Sequence, residues 1–324
     1  WSLHRVDLHQ GLRKLATSPN RDDGRGFVEM KLGCEVVGLD CEQATLTLAD
    51  GRVVTQDLII IADGAHSQLV QDLTGHPTTV IRTGRSIYRW LVATDDVMAD
   101  PDLRANYAGE LPGFLGWHDP VKEVFWVTYT CRGGKVLNNA VVHSTQAGDG
   151  EHDQWYSPVT KSQVLEALEN FHPSAKKIVD MASEDGIKVH HLFSRPPLTS
   201  FVRGRTAVIG DAAHVMLPTH AAGGSIAIES AASIETLFKG VDGRDEAIVK
   251  QRLRLFDKLR IPRCNLTMLA SNAGPEWLDV PGLEDEIRRF YSGPLPPAGT
   301  RPWTKEFREL LFHHNEYGAA EHAL

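Results

Sequence analysis

The stretch from Gly204 to Lys239 constrains this chain more than any other. Thr206, Ala207, Val208 and Ile209 form a short apolar run that stops at Gly210, as a buried strand does. Asp211 follows where such a strand ends, and open α/β sheets bind ligands at the carboxyl ends of their parallel strands. Ala212 to Ala222 reads as an irregular loop carrying His214 and Pro218. From Ser225 a helical period takes over, with Ala227, Ala231, Ile234 and Phe238 on one face. Gly223-Gly224-Ser225 brings almost no side chain to the helix start, so a ligand can lie against the backbone. A strand-end carboxylate accepts hydrogen bonds from sugar-like hydroxyls, and an uncovered helix N-terminus offers N–H groups and partial positive charge. The bland reading is a tight strand-to-helix turn whose aspartate caps a helix.

A second stretch repeats the device. Cys34–Leu39 and Ala44–Leu48 alternate as strands, Ala49-Asp50-Gly51-Arg52 is a hairpin turn, and Val53–Thr55 follows. The apolar run Asp57 to Ala62 then ends in Asp63-Gly64-Ala65-His66-Ser67: again a buried strand, a carboxylate and a glycine. Upstream, Leu8, Leu12 and Leu15 mark one side of a helix that Ser2 could cap. On spacing alone Arg5 is a solvated arginine in its first turn.

Gly210-Asp211-Ala212-Ala213-His214 with Pro218, the Asp63-Gly64 motif, and Arg5-Val6-Asp7-Leu8 together resemble the class A flavoprotein monooxygenases, the salicylate and p-hydroxybenzoate hydroxylase group. The resemblance implies a Rossmann-like α/β FAD-binding domain with an inserted antiparallel-sheet substrate domain and C-terminal helices. It implies Asp211 on the flavin ribityl chain, the Gly223 and Gly224 amides near the pyrimidine edge, and Pro218 shaping the loop beside the ring. Arg5 inherits a contact to FAD, and Asp63 one to the FAD pyrophosphate region and the nicotinamide cofactor. The family carries an arginine where this chain has Val70. No G-x-G-x-x-G is present: Gly24-Arg25-Gly26 runs into Phe27 with no strand before it, and the chain opens on Trp1. The expectation is an N-terminally incomplete chain lacking the first βαβ unit.

Residues 78–184 differ in character. Ser86–Val92, Glu123–Tyr129 and Ala140–His143 read as strands, the last two joined by Arg132-Gly133-Gly134-Lys135. Gly148–Glu151 reads as an exposed loop and Ser162–Phe171 as an amphipathic helix. Arg89 interrupts an apolar strand, where an unpaired charge is costly, and Tyr129 lies on the neighbouring predicted strand. By resemblance to related fungal hydroxylases Arg89 faces the substrate, and from the neighbouring strand Tyr129 could supply a phenol hydroxyl to the same pocket; the alternative is an edge-strand arginine with its head in water and a core tyrosine. The expected division is 1–77 with 185–240 for FAD, 78–184 for substrate and 241–324 as C-terminal helices.

The strand Ile187–Phe193 and the turn Arg195-Pro196-Pro197-Leu198 lead back to the first motif. Arg244–Leu259 reads as a helix whose arginine-rich continuation to Arg263 presents a solvated face, Pro281–Trp303 as loop, and Lys305–His314 as a terminal helix. His190-His191 and His313-His314 are adjacent pairs that cannot converge on one site, so no metal is expected. His214 is expected to bond to backbone.

A net charge of -8 without a basic block speaks against nucleic acid, and no apolar run reaches membrane-span length. Four scattered cysteines lack metal or redox spacing, which with the absent signal peptide reads as cytoplasmic. The leading expectation is an FAD-dependent aromatic or phenolic monooxygenase. In that chemistry NAD(P)H reduces FAD, O2 adds at flavin C4a, and the hydroperoxide hydroxylates an electron-rich ring. Alternatives are epoxidation or Baeyer–Villiger oxidation on the same fold, and a truncated or degenerate relative acting as a non-catalytic binding module.

Overall fold

A computed structural model describes residues 3–18, 28–106, 114–147, 149, 157–301 and 304–324. Trp1, Ser2, Gly24–Phe27, Gly148, Gly150, Glu151 and Trp303, on which parts of the sequence reading fall, lie outside the described residues. Contacts divide the chain into two compact units, Trp1–Leu32 with Arg82–Leu192 and Gly33–Ile81 with Phe193–Leu324.

The first unit is built on a six-stranded sheet in the order Leu115–Asp119, Val124–Cys131, Val136–Ser144, Ile81–Ala93, Lys188–Ser194, Ser157–Pro158. Alternation along Ile81–Ala93 sends Tyr88, Trp90 and Val92 to a buried face, where they share a core with Trp126, Leu137 and Val141 from other strands of the sheet. Helices Lys161–Ala167 and Pro173–Asp180 cover that face with Val164, Ala167, Ile178 and Val179. Thr160 and Gln163 form a capping box on the first of these helices, which stops at Ala167 rather than Phe171. The Arg132–Lys135 hairpin turn is present, and Asp7 pairs with Arg132 at 2.7 and 2.9 Å, grouping the helix Arg5–Ala16 with this sheet. That helix buries none of its residues; Leu12 and Leu15 are exposed. Asp149, expected in an exposed loop, is buried and accepts the Tyr88 hydroxyl at 2.8 Å.

The second unit carries both motif strands. Val36–Asp40, Thr45–Leu48 and Val53–Thr55 form the expected antiparallel meander with Gly51 at its turn. A second sheet orders Val202–Arg203, Thr206–Val208 and Ile59–Ile61, the last two parallel. The helix Gly223–Leu237 buries Ile226, Ser230, Ser233 and Leu237, one residue out of phase with the stripe read from sequence; Ala231 is exposed. Alanines carry too weak a hydrophobic signal to set the phase, and two serines lie inside.

The helix Glu246–Ala273 extends beyond the Leu259 end read from sequence and includes Pro262. Burial on both sides of the proline, from Phe256 to Leu266, holds the turn that its missing N–H weakens. Leu283–Arg288 is helical within the stretch read as loop, and Glu316–Ala323 adds a last helix. Trp277, Leu283, Ile287, Phe307 and Leu311 form a satellite core there. Among the described residues no helix is long and apolar enough to cross a membrane.

Candidate functional site

Two motifs 148 positions apart in sequence end on adjacent parallel strands. Thr206, Ala207 and Val208 pair with Ile59, Ile60 and Ile61, and the Ile209 amide donates to the Ile61 carbonyl at 2.9 Å. Asp63 follows Ile61 by two residues and Asp211 follows Val208 by three, so both carboxylates leave the same end of the sheet. Gly210 makes this possible with φ 62° and ψ −150°, a turn closed to ordinary L residues. Both aspartates are exposed. Asp211 occupies the first turn of the short helix Asp211–His214 and is not enclosed by the fold.

The stretch read as loop is two short helical pieces, Asp211–His214 and the 3-10 turn Pro218–His220. Contacts to the long helix pin it: the Leu217 amide donates to Asn272 Oδ1 at 2.9 Å, and His220 Nδ1 lies 3.3 Å from Ser271 Oγ. The chain then enters the helix that starts at Gly223. A side chain built at Gly224 would meet nothing within 4 Å, and one at Gly223 only Met216, at 3.9 Å. Protein packing therefore does not require these glycines. As the first two residues of the helix they leave open space and backbone amides without helical acceptors.

Arg195, part of a turn in the sequence reading, reaches the backbone beside the Asp63-Gly64 motif. It is 2% exposed; Nη2 donates to the Ala65 carbonyl at 3.3 Å, and Nε and Nη1 meet no partner among the described residues. Burial lowers its pKa and the charge of Asp63 opposes the fall. A buried guanidinium with two unused donors beside the Asp63-Gly64 turn is suited to an anionic group. An Arg-Pro-Pro sequence gives no hint of that burial. His214 is fully buried, and neither ring nitrogen meets a hydrogen-bond partner of good geometry among the described residues. Burial pushes its pKa down to about 3, which keeps the ring neutral. Val70, standing where the family has arginine, is a fully buried core residue.

In the other unit Arg89 lies on the sheet face opposite the helices. Arg89 pairs with Ala140 and Ala140 with Val127, while Leu91, Asn138 and Tyr129 form the next row of that face. Arg89 and Tyr129 thus share a face but not neighbouring strands: Val136–Ser144 runs between theirs, and Arg89's strand is interior, not an edge. Arg89 keeps accessible area, although protein atoms crowd it enough to lower its pKa; Tyr129 opposes that fall and Arg5 adds to it. The accessible area decides whether a ligand can reach it. Burial raises the Tyr129 phenol, against the pull of Arg89, so it stays protonated and can donate. Neither Arg5 nor Arg89 has a hydrogen-bond or ion-pair partner among the described residues.

The chain matches the FAD binding domain family over residues 29–241. The chain belongs to that family. It is 32% identical over 280 residues to the FAD-dependent monooxygenase phomE' of Diaporthe leptostromiformis, covering 85% of this chain and 68% of that protein. It is 27% identical to the hispidin-3-hydroxylase of Neonothopanus nambi, over 82% of this chain and 62% of that one. Its fold superposes on a salicylate hydroxylase in complex with substrate, with a TM-score of 0.72, 24% identity and coverage of 99% and 75%. The family is that of FAD-dependent monooxygenases of the class A hydroxylase type, and the fold is the FAD-binding fold of those enzymes.

Proposed function

We propose that this chain is the FAD- and substrate-binding part of a monooxygenase that hydroxylates an aromatic or phenolic small molecule, using NAD(P)H and O2 in the cytoplasm. The observation that carries the reading is the convergence of Asp63, Asp211 and the side-chain-free start at Gly223 within one unit. These groups fit a flavin nucleotide: acceptors for hydroxyls, unpaired amides for an electron-rich ring edge, and Arg195 for a phosphate. When bound, FAD supplies the redox chemistry and the activation of O2.

The protein's own contribution is binding and electrostatics. Asp211 accepts ribityl hydroxyls, Asp63 orders the turn beside Arg195, Pro218 fixes the loop, and Arg5 offers a cation to FAD. The amides of Gly223 and Gly224 favour negative charge at the helix start. Arg89 and Tyr129 orient the substrate through an acidic or carbonyl oxygen. Two cations without carboxylate partners among the described residues, Arg5 and Arg89, close enough for their charges to interact, favour a ligand that is negatively charged.

The test uses the full-length protein. Reconstituted with FAD and given NAD(P)H, it should oxidise the nicotinamide faster with a phenolic acid present and release a product one oxygen atom heavier. A protein that takes up no flavin, or whose product gains oxygen without hydroxylation, overturns this reading.

A further inference from the structure

The helix Gly223–Leu237 is held from behind by a closed, buried network of charges. Arg260 is fully buried; its Nη2 donates to the Ile226 carbonyl at 3.2 Å and to Glu229 Oε2 at 3.0 Å, and its Nε to Ser230 Oγ at 3.2 Å. Ser230 Oγ donates to the same Ile226 carbonyl at 3.0 Å. The remaining Arg260 nitrogen, Nη1, pairs with Glu316 of the last helix, whose other oxygen accepts Ser233 Oγ. His314 Nε2 lies 2.7 Å from Glu316 Oε2. Arg263 closes the ring, reaching Glu229 at 2.9 and 3.1 Å and the Leu310 and Leu311 carbonyls at 2.7 Å each. Glu229, His314 and Glu316 place ligand atoms within 4.8 Å of one another, but both carboxylates are already neutralised by arginines, so the cluster suits an internal brace and not a cation.

The brace lands on a specific atom. Ile226 is the first residue of this helix whose amide bonds back into the chain, to Ala222 at 3.0 Å; the three before it carry the open amides. We propose that Glu316 and Arg260 are positioning residues for the flavin. By fixing the Ile226 carbonyl they set the direction of the Gly223, Gly224 and Ser225 amides, and the C-terminal helix Glu316–Ala323 acts on the cofactor through Arg260. This rests on the reading of that helix start as the flavin-binding turn.

The test compares Glu316→Gln with Ile287→Ala in the full-length protein. Ile287 belongs to the satellite core around Trp277 and Phe307 and serves as a control for lost stability alone. FAD affinity is measured by flavin fluorescence, and the midpoint potential of the bound flavin by dye-coupled reduction. Glu316→Gln should weaken FAD about tenfold, the order of one charge-assisted contact, and make the flavin harder to reduce. Ile287→Ala, matched for melting temperature, should change neither. If Glu316→Gln does not fold, Ser233→Ala, which removes one donor to Glu316, should shift both readouts the same way by less. Parental affinity and potential in the brace variant, or equal shifts in the control, overturn the proposal. A parent protein that binds no flavin overturns the functional reading as well, which separates the two failures.

Discussion

Replacing Asp211 by alanine separates cofactor binding from architecture. The carboxylate is exposed and stands in the first turn of a four-residue helix. Part of its contribution to the ligand-free fold is a favourable charge near a helix N-terminus, about 0.3–1 kcal/mol. For a chain of this size that is a fall of no more than about 2–4 °C in melting temperature. With flavin bound, the same group makes charge-assisted hydrogen bonds to hydroxyls, worth roughly 1.5–3 kcal/mol, or a ten- to hundredfold change in affinity. At a fixed excess of FAD, each tenfold loss removes about 1.4 kcal/mol from the ligand-induced stabilisation. Melting curves of parent and Asp211→Ala full-length proteins, with and without saturating FAD, read both quantities. The expected pattern is a nearly unchanged apo transition and a much smaller shift on adding FAD. A large apo loss with the FAD-induced shift intact would show that Asp211 caps the turn and that the cofactor assignment is wrong.

Arg89→Ala should raise the apparent substrate constant roughly ten- to hundredfold while FAD content stays the same; steady-state kinetics and the flavin spectrum decide, and normal substrate affinity refutes it. Arg195→Met removes a buried charge with two unused donors, so apo stability in urea should not fall; a loss of about 3–5 kcal/mol, typical of a broken buried pair, would show that Arg195 is structurally paired. Burial holds His214 at about 3 and His220 at about 4, well below the unfolded value near 6.5. The unfolded chain therefore takes up protons first, and stability should decline as pH drops below about 6.5, by up to ~1.4 kcal/mol per pH unit per histidine. His214→Gln should flatten that slope between pH 6.5 and 4.5 in urea titrations, and an unchanged slope refutes the assignment.

What was legible in the sequence is what neighbours along the chain decide. The meander closing at Gly51, the Arg132–Lys135 hairpin and the two strand–aspartate–glycine turns are each set within about ten residues, and they are where they were read. That the two aspartates would share one end of a sheet could not be read from spacing; it follows from the pairing of Val208 with Ile61. Arg260 and Arg263 were read as a solvated face because charge on a helix is usually hydrated. Their partners lie 31 to 56 residues away, at Glu229 and Glu316, and no local pattern announces them. Tyr129 was placed on the strand beside Arg89 because the hairpin after it was visible but the strand order was not. In a sheet, order is fixed by the packing of the covered face, here Trp90, Trp126 and Val141.

The charges of the chain sort by what neutralises them, and the sorting points to function. Arg260, Arg263, Glu229 and Glu316 satisfy one another inside the protein, and a group whose partner is internal serves architecture. Asp63, Arg5 and Arg89 remain accessible, so water solvates them without ligand and a ligand can replace that water at little cost. Arg195 belongs to neither class. It is nearly as buried as Arg260 but keeps two donors without partners among the described residues, where the charge of Asp63 is what opposes the fall in its pKa. A fold that merely needed to fill this position would have gained from an apolar side chain of the same length. Packing alone does not account for a buried guanidinium at Arg195, and an anionic ligand beside the Asp63-Gly64 turn is what would make its burial favourable.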